Sequence, residues 1–151
     1  MNKKDNQNLE INYSQLTIEA MKSLIHRVLN IVSERGLPDK HHFYISFNTK
    51  AENVIIPKEL TNKYPEEMTI VIENTFWDLK VNDKDFSLIL SFNNVKKKLI
   101  ITFDSILSFS DPHANFMLNF QNQINKNPSL EKTIKKKSSN VINIKNFKKD
   151  L

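Results

Sequence analysis

Between Arg35 and His41 the hydrophobic period of this chain changes once, from 3.6 residues to 2, and that change bounds the folds open to it. On the N-terminal side Ile18, Met21, Leu24, Ile25, Val28, Leu29, Ile31 and Val32 recur at helical spacing. At 100° per residue they cover an arc of about 160°. Glu19, Lys22, Ser23, His26, Asn30, Ser33 and Glu34 fill the opposite face. Ser14 or Thr17 is the expected N-cap, with Glu19 well placed against the helix dipole. Gly36 at the expected C′ position and Pro38 beyond it stop the helix. So wide an apolar arc suits a helix buried wholly within one chain. It equally suits one that packs on its own domain and shows apolar surface to a second subunit.

From His41 onward the pattern is that of short strands. Phe43, Ile45 and Phe47 alternate with His42, Tyr44 and Ser46. Val54-Ile55-Ile56 is a short strand ended by Pro57, and residues 58–66 form a turn or short helical segment ending at Tyr64-Pro65. Met68–Glu73 is a strand, followed by Phe76-Trp77-Asp78-Leu79 and a turn at Asn82–Asp85. Phe86, Leu88, Leu90 and Phe92 share one face of the next strand, Asn93-Asn94 signals a tight hairpin, and Leu99–Phe103 returns. Asp104–Phe109 reads as a helical turn or a strand, Asp111-Pro112 breaks it, and Phe116–Phe120 is a last apolar piece. One helix followed by closely spaced strands predicts an α+β, mainly β domain, a small sheet or barrel behind the helix.

The ends differ in character. Residues 1–13 are polar and expected to be disordered. Residues 121–140 hold only Ile124, Leu130 and Ile134 as large apolar groups, too few to bury a core, and are expected to be a flexible linker. Residues 141–151 turn apolar again at Val141, Ile142, Ile144 and Phe147, the pattern of a docking peptide on a tether, or of an unremarkable terminus. The formal net charge of +5 belongs to this tail. From Gln121 on there are eight Lys and two acids, which leaves fourteen basic against fifteen acidic groups in residues 1–120. A nearly neutral folded part argues against nucleic-acid binding by that part, because phosphate recognition wants a basic face.

Chemistry is sparse. The chain has no Cys, hence no disulfide, thiolate ligand or thiol nucleophile. Its one glycine, Gly36, cannot build a phosphate-cradling loop. No apolar run approaches the roughly 20 residues that span a bilayer. MNKKDNQNLE has no apolar signal region, so cytoplasmic location is expected. His41 and His42 point to opposite faces of a strand, and His26 and His113 have no ligand-spaced partner, so no metal is expected. Glu66-Glu67 and Asp83/Asp85 are turn acids without a nucleophile nearby in sequence, and no serine has an elbow motif. No catalytic residue and no cofactor are expected. Trp77 and the ten Phe suit a core better than a base-stacking platform.

Several segments resemble, in order, the alphaproteobacterial branch of the SspB family. They are Gly36-Leu37-Pro38, His41–Phe47 within GLPDKHHFYISF, Tyr64–Val71, Phe76–Leu79 within YPEEMTIVIENTFWDLKV, and Asp111-Pro112. The tail VINIKNFKK at 141–149 is similar to that family's C-terminal motif, which docks on the ClpX N-terminal domain. The chain departs at the 92–96 hairpin, with Asn93-Asn94 where relatives usually carry Gly-Gly and Lys96 for an expected Pro. It also carries a polar N-terminal extension and a short linker.

The resemblance implies a strongly bent, Sm-like antiparallel β barrel over residues 14–120 that binds tags and dimerises. The N-terminal helix would form the homodimer interface, placed at Met21, Leu24, Ile25 and Val28. It implies a non-enzymatic adaptor that binds ssrA-tagged proteins and tethers them to the ClpXP protease through the tail. The strand alternation suggests a tag groove at Ile70, Ile72, Leu88, Leu90 and Phe92, with Phe43 and Ile45 as walls. The alternative for all seven is a closed core. Two rival functions stay open: a small barrel that binds RNA with a basic tail, and a non-catalytic scaffold.

Overall fold

The computed structural model describes residues 10–121. Most of the N-terminal extension, the linker from residue 122 and the docking peptide at 141–151 lie outside the described residues. Helix α1 spans Tyr13–Arg35. It starts ahead of both expected caps, because Asn12 takes the role: its Oδ1 accepts the Gln15 backbone N–H at 3.0 Å. Gly36 closes the helix with φ +83°, its N–H donating to the Val32 carbonyl at 2.8 Å. That backbone conformation, rather than crowding, explains the glycine, since a Cβ there would meet nothing within 4 Å.

Among the described residues seven strands follow: β1 Phe43–Asn48, β2 Glu67–Ile72, β3 Trp77–Val81, β4 Asp85–Phe92, β5 Val95–Thr102, β6 Ile106–Asp111 and β7 Phe116–Asn119. A short helix α2, Lys58–Lys63, precedes β2. The expected strand at Val54–Ile56 is reduced to a single bridge, Ile55 to Ile100, because Pro57 ends it and starts α2. Asp104–Phe109 divides: a 3-10 turn covers Phe103–Ser105, capped by Thr102 Oγ1 accepting from the Ser105 N–H at 3.2 Å, and β6 follows.

The strands form two antiparallel sheets, ordered β2-β1-β6-β7 and β3-β4-β5, behind one N-terminal helix, which is the α+β, mainly β class expected. The chain crosses between them at Glu73–Phe76 and at the Phe103–Ser105 turn, where no ladder forms. The inward residues of both sheets and of α1 make one hydrophobic cluster. From the helix come Met21, Ile25, Leu29 and Val32. Full burial of such side chains stabilises by about 1.5–3 kcal/mol each. Ser33 Oγ also donates to the Leu79 carbonyl at 3.0 Å, which fixes α1 along β3.

Besides Gly36, six residues have positive φ: Lys40, Asn53, Asp78, Asn93, Asn94 and Asn115. Asn93 (52°) and Asn94 (67°) make the two-residue β4–β5 hairpin read from sequence, with Phe92 paired to Val95. Asp78 (57°) sits in a bulge that shifts the β3–β4 register between Trp77 and Lys80.

Phe109 is 1% exposed and packs against Phe43 and Phe116, with ring centroids at 5.0 and 6.3 Å. Phe109→Ala is expected to lower stability by about 3–5 kcal/mol, read as a fall in the urea midpoint.

Candidate functional site

The sequence-suggested groove residues lie mostly inside. Phe43, Ile45, Ile70, Ile72, Leu88 and Leu90 are all buried members of the core cluster. In this conformation Ile45, Ile70, Ile72, Leu88 and Leu90 give a peptide no surface, which is the closed-core alternative, and Phe43 reaches only the wall of a separate pocket beside α1. Alternation gives the face of a strand but not whether that face is covered. Phe92 differs. It is half-buried and lines a cleft of about 540 Å³ between α2 and the β4–β5 hairpin, with Leu60, Tyr64 and Val95. Lys97 pairs there with Glu59 across the cleft.

The other face of β3-β4-β5 carries a feature that sequence reasoning missed. Register places Trp77 opposite Ile89 and Ile89 opposite Lys98, so the three side chains share one face. Lys80 and Lys96 stand on that face opposite Ser87 and Ser91. Lys96 Nζ lies 4.1 Å from the Trp77 ring centroid, in cation–π geometry, and Trp77 is 37% exposed. The result is an aromatic and aliphatic shelf rimmed by three lysines, of which Lys80 has Asp78 3.9 Å away. Among the described residues β3 has a strand on one side only, and in the larger sheet β2 and β7 are edges. Exposed edges offer backbone donors and acceptors to an extended segment.

The α1 arc is divided. Met21 and Ile25 are buried in their own domain, whereas Leu24 and Val28 are half-buried at its boundary. Tyr13, Leu16 and Ile31 are exposed, and Tyr13, Leu24 and Ile31 fall on one stripe at helical periodicity. Two of the four expected interface residues thus face inward, and an apolar stripe remains outside.

A third surface joins residues far apart in sequence. Val28, Ile31, Val32, Phe43, Phe109 and Phe116 are the main walls of an apolar pocket of about 350 Å³. At its polar end His41 Nδ1 lies 2.6 Å from Asp111 Oδ2, and the His113 ring meets His41 edge-on at 4.8 Å. Asp111 is 6% exposed, and its Oδ1 has no hydrogen-bond partner among the described residues. Sequence reasoning passed over this cluster because the β1–β6 and β6–β7 pairings bring it together. Among the described residues, no side chain lining the pocket carries a hydroxyl or thiol. Among the described residues no group of three or more His, Cys, Asp or Glu is arranged to hold a metal ion. No described helix is long and apolar enough to cross a membrane.

His41 is the sole partner of the Asp111 carboxylate among the described residues. His41→Ala is expected to lower stability by about 1–3 kcal/mol, measured by urea unfolding, because it leaves a buried acceptor unsatisfied.

Comparison with known proteins gives one family. The model described as SspB, stringent starvation protein B, matches residues 15–149. None of the curated proteins matches the chain.

Proposed function

Because this chain belongs to the SspB family, and membership supports a non-catalytic adaptor role in protein degradation, we propose that it delivers ssrA-tagged proteins to the ClpXP protease. The family match over residues 15–149 carries this reading, since it covers both the folded domain and the apolar tail.

The tag site is assigned to the Trp77 shelf rather than to the core residues. An extended tag lies across Trp77 and Ile89, and Lys96 and Lys98 receive its acidic groups or carboxyl terminus. Phe92 and its cleft take a side chain from the same peptide. Backbone pairing at a strand edge gives affinity and the shelf gives choice. Exposed Tyr13, with half-buried Leu24 on the same stripe, supports a homodimer through the N-terminal half of α1, with Val28 at its far margin and Met21 and Ile25 bracing the helix from behind. The tail, at Val141, Ile142, Ile144 and Phe147, docks on the ClpX N-terminal domain across a tether of about 20 residues, which as a coil covers about 25 Å. Two tails per dimer raise the effective concentration at the enzyme to the order of millimolar. The site of action is the cytoplasm, and no ATP is used by this chain.

The test is fluorescence-anisotropy binding of a labelled ssrA-tag peptide to the full-length protein at two salt concentrations. Saturable binding that survives salt is expected, and Trp77→Ala should weaken it at least tenfold, about 1.4 kcal/mol. A folded dimer that ignores the peptide would sink the tag reading and favour RNA or scaffold partners. Deletion of residues 141–151 should leave tag binding unchanged and abolish the stimulation of ClpXP degradation. Leu24→Asp should convert the dimer to a monomer in sedimentation.

A further inference from the structure

We propose that the apolar pocket between the C-terminal half of α1 and the β6–β7 turn is a docking site for the chain's own C-terminal segment, residues 141–149. Two properties of the pocket define what fits. Its walls are aliphatic and aromatic, with Ile31 half-exposed at the rim. Its polar end holds one buried acceptor without a partner among the described residues, Asp111 Oδ1. Asp111 precedes the 3-10 turn Pro112–Ala114, where an aspartate ordinarily caps the backbone, yet its side chain makes no cap bond. It faces His41 instead, through one oxygen only. A buried acceptor of this kind calls for a donor. The fitting ligand is therefore an apolar side chain with an ammonium or backbone N–H beside it.

The tail has that composition. Val141, Ile142, Ile144 and Phe147 alternate with Asn143, Lys145 and Asn146, and Lys148-Lys149 follow. Ile144 or Phe147 fills the pocket while the Lys145 ammonium or an adjacent backbone N–H donates to Asp111 Oδ1. Asp111 is the one carboxylate among the lining residues, and the segment brings Lys145, Lys148 and Lys149, so the local attraction has the right sign. Reach is sufficient. Phe116 lines the pocket, and the chain leaves the described fold at Gln121, five residues or about 17 Å further along. The roughly 20 polar residues before the segment cover about 25 Å as a coil, so the return is sterically open and the local concentration is of millimolar order. Docking of the tail in this pocket requires no ClpX. Where the tail also serves as the adaptor's docking peptide, its place in the pocket competes with the enzyme, and an idle adaptor keeps its tail at home.

The absence of cysteine from the chain makes the test clean. A nitroxide is attached to full-length protein carrying Asp150→Cys, and amide broadening is mapped by NMR against the reduced label. Broadening concentrated at Ile31, His41, Ala114 and Phe116 is expected. It should disappear in an Ile144→Asp, Phe147→Asp double variant, whose folded domain is unchanged, and weaken in Asp111→Asn. Broadening that is absent, or spread evenly over the domain, overturns the proposal. Mixing spin-labelled protein with isotope-labelled, unlabelled-tail protein identifies the source. Broadening that persists in the mixture assigns the pocket to a second copy and overturns the same-chain assignment. The assay contains no tag and no unfoldase, so its failure leaves the adaptor reading intact.

Discussion

Two sheets that share no backbone ladder among the described residues are held together mainly by side chains, apart from the Ile55–Ile100 bridge, and α1 is the element that spans them. Met21, Ile25, Leu29 and Val32 enter the same cluster as Phe43 and Phe109 of the larger sheet and Leu79 and Phe86 of the smaller. Backbone hydrogen bonding makes each sheet rigid within itself. The angle between the sheets rests mainly on packing, which is strong in sum but not directional. The helix thus does in this fold what strand closure does in a barrel. Among the described residues the Ser33–Leu79 hydrogen bond is the one polar link that ties α1 to the backbone of a strand.

Most of this architecture was legible in the sequence, for reasons of period. The break at Gly36, the alternation in β1 and β4 and the Asn93-Asn94 turn each reflect a local backbone requirement that a side chain must meet. The N-cap was read a little late because Ser14 and Thr17 are as competent as Asn12, and only the bond to Gln15 separates them. The binding surfaces were less legible. Alternation placed Leu88 and Leu90 on one face of β4 correctly, but whether that face meets the core depends on α1 and the opposite sheet. The Trp77 shelf needs the β3–β4–β5 register, including the bulge at Asp78, before Lys96 and Trp77 become neighbours. His41 and Asp111 are seventy positions apart and meet only through β1–β6 pairing.

Charge shows the same division between local and assembled information. The folded part is close to neutral as a count, yet its lysines and acids separate in space. Lys80, Lys96 and Lys98 share the outer face of the small sheet, while Glu66 and Glu67 lie at the start of the edge strand of the large one. At physiological salt, where screening acts over about 8 Å, a ligand senses the local sign and not the total. An average drawn over the sequence therefore says little about which partners each face accepts.

The six non-glycine residues with left-handed backbone bear on how much stability this chain holds in reserve. Four of them are asparagine, the residue that best tolerates that region when glycine is not used. Each is therefore held with some residual strain, and all but Asp78, in the β3 bulge, lie in loops or hairpins away from the core cluster. A lineage, or an engineer, can relieve that strain by single changes to glycine without altering a packed side chain. The chain can thus absorb destabilising changes on its binding faces and recover the loss at its turns.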